Sequence, residues 1–399
     1  MKNLSIYIHI PFCIKKCKYC DFLSYPASEE EHEAYITLLL MEIEKQSLFY
    51  SGYQVISVFI GGGTPSVLEG KSIEAIMHKL KEKFNFAENP EMTIEVNPGT
   101  VTEDKLALYL HSGINRLSIG LQTADDSELM TLGRIHDYKT FLCTYELARK
   151  LGFSNINIDL ISAIPGQTYL SYRETLSKTL ALEPEHISAY SLILEEGTWF
   201  YEHSAELRFP TEDEDRQLYE LTEEVLSDYN YKRYEISNYA KEGYECIHNK
   251  TYWLRGNYVG FGLGAASMVD EVRWNNRRSM KEYEEALQKN PESKEYKVLN
   301  ELPINSDSLS QARTRIGENV QYLTTEEQME EFMFLGLRLM EGIEKKAFKS
   351  KFGVPIEDIY GKTLDKLRQE KLIITDGHIR LTPRGIDISN YVMSEFLLN

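Results

Sequence analysis

The sequence predicts an α/β protein: a partial parallel (β/α)6-type barrel followed by a smaller C-terminal domain, helical and winged-helix-like. Two observations predict the barrel. Strand-like and helical stretches alternate through the first half of the chain, with six strand-like runs in all, the pattern of a parallel sheet with crossover helices. The motifs rich in Cys, Gly or isolated charge, up to about Ser191, all fall where a strand ends, the face on which parallel barrels carry their chemistry. A third observation, a change of pattern beyond Tyr229, marks where the core gives way to something else.

Each element has its own reason. The stretch 4–10 (LSIYIHI) alternates like a half-buried strand. A helix follows from about Glu30 to Gln46, on which Tyr35, Leu38, Leu39 and Ile43 share a face. Strands at 53–60, 92–96, 116–119, 155–161 and 185–191 come next, with helices at 72–84, 103–111, 138–151 and 169–182 between them. The acidic run Glu212–Asp215 reads as the first turn of a helix capped by Thr211, where carboxylates meet the positive end of the helix dipole. Beyond it, 229–239 is aromatic and strand-like, 258–266 is small and glycine-rich, and 288–321 is polar with little periodicity, a linker or extension. The tail opens on a capping-box-like TTEEQ at Thr324. A helix at 364–370, a strand at 372–375, a turn at Asp376-Gly377 and a strand at 378–381 complete the outline of a winged helix. The expected domains are a core at 1–230, a barrel extension and linker at 231–320, and the C-terminal domain at 321–399.

Composition narrows the function. No apolar run reaches about 18 residues, so no membrane span is expected. No basic segment followed by an apolar one opens the chain, so a cytoplasmic location is expected. Five cysteines in 399 residues do not make a disulfide framework, and three of them clustered point to metal or catalysis. The net charge of −18 argues against a broad phosphate-binding face, so no nucleic-acid partner is expected. The winged-helix-like tail is not clearly basic, which makes packing or docking at least as good a role for it.

Chemistry concentrates in a few positions. Cys13, Cys17 and Cys20 read C-x3-C-x2-C on the loop leaving the first strand. Three thiolates fill three corners of a four-iron cubane and leave one iron open to an outside ligand. A structural zinc site is the alternative, with His9 or Asp21 as fourth ligand, although neither has the usual spacing. Gly61-Gly62-Gly63-Thr64-Pro65 follows the second strand; its N–H groups could receive a carboxylate or a ribose, and a tight βα turn would also explain it. Glu95 (IEVNPG) and Asp159 (NIDLI) are charges on apolar strands, Gln122 ends the fourth strand in SIGLQT, and Arg134 lies just beyond in LGRIH. Each could belong to a salt bridge at the barrel top; together they suit a polar, zwitterionic ligand. Cys143, beside Leu142 and Leu147, reads as a buried small hydrophobe.

The segments YIHIPFCIKKCKYCDF, GGGTP, EVNP, SIGLQT, GR and NIDLI, in this order and spacing, resemble the radical S-adenosylmethionine superfamily. Within it they resemble the branch of oxygen-independent coproporphyrinogen III oxidase, and most closely its heme-chaperone relatives. The resemblance runs from about residue 4 to the end of the chain. It implies a [4Fe–4S] cluster on Cys13, Cys17 and Cys20, and one or two molecules of S-adenosylmethionine. Tyr7 and Tyr19 would flank the cofactor, Gly62, Gly63 and Thr64 would meet its methionyl end, and Glu95, Gln122, Arg134 and Asp159 would contact it.

Two departures separate this chain from the oxidases. They carry a fourth cysteine, C-x3-C-x2-C-x-C, where this chain has Phe22, and a longer N-terminal arm. Both losses belong to the chaperone-like side. The segment Cys246-Ile-His-Asn-Lys-Thr-Tyr-Trp253 has the H-N-x-x-Y-W core of that side and implies heme binding, with His248 as candidate axial ligand and Cys246 able to assist or substitute. Packing of His248 and Trp253 at the barrel rim accounts for the same residues without heme. The expected function is a heme chaperone that passes heme to a respiratory heme protein, transient membrane association being compatible with it. The alternative is oxidative decarboxylation of coproporphyrinogen III through a 5′-deoxyadenosyl radical. A radical enzyme acting on nucleic acid is a third, disfavoured by the charge. The residues leave open whether the chain is an enzyme.

Overall fold

The computed structural model describes residues 1–288 and 317–398. Six parallel strands lie side by side in chain order: β1 (Lys2–Ile10), β2 (Tyr53–Gly62), β3 (Phe86–Val96), β4 (Arg116–Gln122), β5 (Ile156–Ser162) and β6 (His186–Ser191). Between and after them run α1 (Glu29–Gln46), α2 (Gly70–Lys83), α3 (Glu103–His111), α4 (Asp126–Leu132), α5 (Tyr138–Leu151), α6 (Tyr169–Leu180), α7 (Trp199–Glu202) and α8 (Glu212–Asp228). α8 starts as the acidic run predicts: the Thr211 side chain accepts from Glu214 N, and the Glu214 carboxylate accepts from Thr211 N.

The two-residue period of a strand sorts the side chains into two environments. One set, including Ile6, Ile8, Val58, Ile60, Ile94, Leu117, Ile119, Ile158 and Ile187, is buried in the main apolar core with the helices. The alternate set, including Tyr7, Phe59, Glu95, Arg116, Ser118, Asn157, Asp159 and Ser188, lines a cavity within the sheet's curve. The barrel therefore has an apolar jacket and a polar lumen.

The sheet continues past the parallel six. Beyond β6 stand β8 (Asn238–Ala240) and β7 (Lys232–Arg233), both short and antiparallel, so the aromatic run 229–239 is not the single strand its composition suggests. On the other side β9 (Tyr258–Phe261) pairs parallel with β1, and β10 (Ala266–Val269), β11 (Val272–Asn276) and β12 (Gly317–Tyr322) follow antiparallel. The twelve strands make one sheet, not closed, whose order begins at β12 and ends at β7. The glycine-rich segment is thus a neighbour of the first strand. Gly260 is small because a Cβ there would lie 2.4 Å from the Ala266 carbonyl. Of the polar stretch 288–321, residues 289–316 lie outside the described residues.

Helix α9 (Ile247–Trp253) sits at the N-terminal ends of β1–β3. The Glu91 carboxylate accepts from Ile247 N and His248 N at 3.0 Å each, closing the helix N-terminus, and Thr251 Oγ1 lies 2.8 Å from Ser5 Oγ. The C-terminal unit has its own core, with Met333, Phe348, Ile356, Leu367, Ile379 and Phe396, around a three-stranded sheet of β13 (Ile343–Glu344), β14 (Ile373–Thr375) and β15 (His378–Leu381). It is held to the barrel through buried Arg255, which pairs with Glu331 at 2.8 Å and Glu271 at 2.7 Å, and through Arg338, whose guanidinium stands 4.2 Å from the centre of the Trp253 ring. Trp253 is therefore a docking residue for the C-terminal unit. Cys143 is exposed, a correction to the reading of it as core: α5 buries Phe141, Thr144, Tyr145 and Ala148, and position 143 falls on the other face. Among the described residues no helix is long and apolar enough to cross a membrane.

Candidate functional site

The cysteine loop is anchored before it reaches the cavity. Cys13 N donates to Tyr25 O and Tyr25 N to Pro11 O, while Phe12 is buried edge-on against Tyr25 and Tyr35. Farther on, Lys18 N donates to Leu132 O, fixing the loop to the end of α4. Ser24 Oγ lies 3.9 Å from Cys20 Sγ, and burial pushes the Cys20 thiol up from its ordinary range.

The glycine loop works differently from the sequence expectation. Its N–H groups are not offered to a ligand. Gly62 N donates to Glu95 Oε2 (3.0 Å), Gly63 N to Ile10 O (2.8 Å) and Thr64 N to Phe12 O (2.7 Å). What the glycines provide is closeness. A Cβ on Gly63 would lie 2.6 Å from Phe12 O and 3.0 Å from Cys13 Sγ, and one on Gly62, at φ 114°, would strike the His9 ring at 2.6 Å. The missing side chains let this loop and the cysteine loop share one surface, where Thr64 Oγ1 reaches Cys13 Sγ at 3.5 Å.

Gln122 sits at a register shift between β4 and β5 with φ 74°, in the left-handed region. The shift keeps Leu121 in the core and brings Gln122 to the cavity wall. Arg134 is tied down by its planar fork: Nη2 donates to Asn97 Oδ1 (2.8 Å) and Gly120 O (3.0 Å), while Nη1 reaches Tyr19 OH (3.4 Å) and Cys17 Sγ (3.6 Å). Asn97 Nδ2 donates in turn to Thr64 Oγ1 (2.8 Å), so the Asn of EVNP links the glycine loop to Arg134. Cys13, Cys17, Cys20, Tyr19, Gly62, Gly63, Thr64, Glu95, Gln122, Arg134 and Asp159 all line this one cavity of about 400 Å3. Burial raises the Glu95 carboxyl to about 8, Asp159 adding like-charge repulsion and the Gly62 N–H opposing it. Burial also raises Asp159, against hydrogen bonds from Ser118 and Asn157.

Tyr7 and His248 lie elsewhere. They line an inner chamber of about 240 Å3 that shares Phe22, Gly62, Glu95, Ser118, Asp159 and Tyr190 with the first cavity and adds Phe59, Arg116, Asn157, Ser188, Asn249 and Tyr252. The Tyr7 hydroxyl meets His9 Nδ1 (3.0 Å) and its ring stacks on Phe59. His248 is not at the rim. It is 1% exposed, with Nδ1 3.0 Å from Ser57 Oγ and Nε2 2.9 Å from Tyr252 OH. Burial, with the charge of Arg116, lowers the imidazole to about 3, so it is neutral. Cys246 stands apart from His248: it is fully buried, lines neither chamber, and its thiol donates to Glu91 Oε1 (3.4 Å), burial pushing its pKa up to about 12. Asn97, Arg116, Ser118, Asn157 and Tyr190 were not singled out from the sequence. For Arg116, Ser118, Asn157 and Tyr190 the signal was there in the polar alternation along β4–β6.

The matches to known proteins agree with this geometry. The Radical SAM superfamily model matches residues 7–178, and the HemN C-terminal domain model matches residues 323–388. The heme chaperone HemW of Lactococcus lactis subsp. lactis (strain IL1403) is 34% identical over 100% of this chain and 98% of its own. The chain belongs to the HemW family of the radical SAM superfamily. The HemW of Bacillus subtilis (strain 168) is 33% identical over 98% of this chain and 99% of its own, and that of Escherichia coli (strain K12) 38% over 67% and 70%. The solved coproporphyrinogen III oxidase (HemN) from Escherichia coli, described as a radical SAM enzyme, superposes with a TM-score of 0.81 at 22% identity over 99% of this chain and 90% of that one; it shares the fold.

Radical SAM membership brings a [4Fe–4S] cluster and S-adenosylmethionine as cofactors. The chain's own cavity fits them. Among the described residues no three His, Cys, Asp or Glu converge on a single ion. The three thiols instead line the wall of a larger cavity, as ligands to three different irons do, and the cradle against Cys13 is one that a Gly63 Cβ would fill.

Proposed function

We propose that this chain is a heme chaperone that binds heme and transfers it to an acceptor protein, on a scaffold holding a [4Fe–4S] cluster and S-adenosylmethionine. The observation that carries the reading is similarity along the whole chain to proteins described as heme chaperones. In this reading Cys13, Cys17 and Cys20 ligate the cluster, which supplies a one-electron donor with one open iron. Gly62, Gly63 and Thr64 shape the space beside it. Glu95, Gln122, Arg134 and Asp159 orient a ligand that carries an ammonium, a carboxylate, a sulfonium and ribose hydroxyls. Tyr19 braces Arg134. His248, neutral and inside the barrel, would be the residue to hold heme iron, in exchange for its hydrogen bond to Tyr252; Tyr7 walls the same chamber. The acceptor belongs to the respiratory heme proteins.

Two measurements test this. Anaerobically purified, heme-loaded protein should pass labelled heme to an apo-acceptor, with optical spectra following the loss. Failure to bind heme at all would sink the reading. Turnover of coproporphyrinogen III to protoporphyrinogen by the reconstituted, reduced protein would replace it with the oxidase function.

A further inference from the structure

The cysteine loop turns a second face to solvent, away from the cofactor cavity. Lys15, Lys16 and Lys18 stand within four residues, in a chain of net charge −18. Among the described residues none of the three forms an ion pair: Lys16 Nζ donates to the Phe22 carbonyl at 2.9 Å, Lys18 Nζ stands 4.3 Å from the centre of the Trp199 ring, and Lys15 is exposed. Apolar side chains are exposed beside them, Ile14 at 59%, Ile135 at 49% and Trp199 at 38%. The patch is contiguous. Ile14, Lys15 and Ile135 line one small cavity of about 10 Å3 with Cys17. The Lys18 stem runs along the end of α4, where a Cβ on Gly133 would meet its Cγ at 3.1 Å. Asp21 and Glu195, acidic residues of the same rim, line the cofactor cavity and not this small one. Cys17 lines both, so a single side chain separates the patch from the cofactor cavity.

A cluster that gives up one electron must first receive one. We propose that this face, Lys15, Lys16 and Lys18 with Ile14, Ile135 and Trp199, docks a small acidic one-electron carrier protein whose flavin or iron–sulfur centre lies near its surface. The proposal rests on the assignment of the cluster to Cys13, Cys17 and Cys20. One electron passes from the carrier's reduced centre, past Cys17, to [4Fe–4S]2+, which becomes [4Fe–4S]+. The carrier is left oxidised by one electron, and no bond in this chain is made or broken. Charge sets the orientation. The negative remainder of the chain repels an acidic carrier, and the three lysines attract it. The apolar side chains supply a dry centre to the contact. Redox encounters use small interfaces, so a patch of this extent suffices.

The test uses the full chain with its cluster reconstituted anaerobically and two acidic probes, a flavodoxin and a [2Fe–2S] ferredoxin, which distinguish a flavin carrier from an iron–sulfur one. At least one oxidised probe should bind in calorimetry, with no electron transferred. Its reduced form should bleach the cluster in stopped flow, at a rate that falls at least about tenfold as salt screens the contact. The double variant Lys15→Glu/Lys16→Glu should bind that probe at least about tenfold more weakly and lose the salt dependence. A neutral deazaflavin under light, which needs no docking, should reduce variant and wild type equally. If the double variant does not load a cluster, Ile135→Glu, off the cysteine loop, should weaken binding in the same way. Failure of both probes to bind wild type overturns the proposal. So does unchanged binding with unchanged salt dependence in a variant that carries a full cluster. Slower reduction of the variant by deazaflavin overturns it as well, because the lysines then act on the cluster and not on a partner. If wild type takes up no cluster, the assignment to the three cysteines has itself failed, a result distinct from all of these.

Discussion

The two chambers of the barrel are built to opposite rules. In the outer one the polar side chains are held in place by their neighbours and still face the cavity: Arg134 is fixed by Asn97 and Gly120, and Glu95 by Gly62. In the inner one most groups are paired with each other, His248 with Ser57 and Tyr252, Asn157 with Ser118, His186 and Ser188. Among the described residues lining it, Arg116 carries the one fully buried polar side-chain atom without a partner, its Nε. The outer chamber is organised before its ligand arrives, so binding there costs little rearrangement. A ligand entering the inner chamber would have to exchange internal hydrogen bonds for its own contacts.

The comparison can be broken most severely at the cysteines. Cys17→Ala should abolish the visible absorbance of the reconstituted cluster, a complete loss, while heme titration of the same protein stays within about threefold of wild type. Loss of both together would mean that the chambers are not independent.

His248→Ala should come next, weakening heme binding at least about tenfold and changing the optical spectrum, with cluster absorbance unchanged. An unchanged spectrum would remove His248 as ligand.

Glu95 stands in the wall between the chambers and gives the comparison a pH axis. Its carboxyl titrates near 8 without ligand, so it is protonated through neutral pH. A sulfonium or ammonium bound beside it favours the carboxylate and lowers that value. Binding below pH 8 must then release a proton, and affinity for S-adenosylmethionine should fall as pH drops from 8, by up to about tenfold per unit. Calorimetry in two buffers of different ionisation enthalpy counts the proton. Glu95→Gln should flatten the profile, and a profile equally steep in the variant would assign the proton elsewhere.

The smallest effect is expected at Tyr252. Tyr252→Phe removes the hydrogen bond that occupies His248 Nε2 at 2.9 Å and should tighten heme binding by a few fold, about 1 kcal/mol. Weaker binding would show that Tyr252 holds the imidazole in its ligating position.

The outer chamber was largely legible in the sequence. Its residues sit in contiguous motifs at strand ends, where chain order and spatial order coincide, so Cys13, Gly63, Glu95, Arg134 and Asp159 could be gathered from spacing and resemblance. The inner chamber was not, because its walls come from alternate positions of separate strands, and Arg116 or Ser118 looks like an ordinary strand residue until register sets it beside its neighbours. His248 was identified, but nothing local in HNKTYW says that the helix enters the lumen's end rather than capping its rim. The glycine loop was found for a partly mistaken reason: its N–H groups are held by Ile10, Phe12 and Glu95, and closeness is its contribution. Cys143 was misjudged because two flanking leucines do not fix which face of a helix turns inward.

The pairing of β1 with β9 bears on how the protein is made. β1 leads directly into the cysteine loop, yet one of its two neighbours, Tyr258–Phe261, is synthesised about 250 residues later. Contacts this distant in sequence form slowly and only after the intervening chain exists. During translation the cysteine loop leaves the ribosome beside a strand with an unpaired edge. Cluster loading into a finished pocket is thereby deferred until roughly the first two-thirds of the chain has emerged.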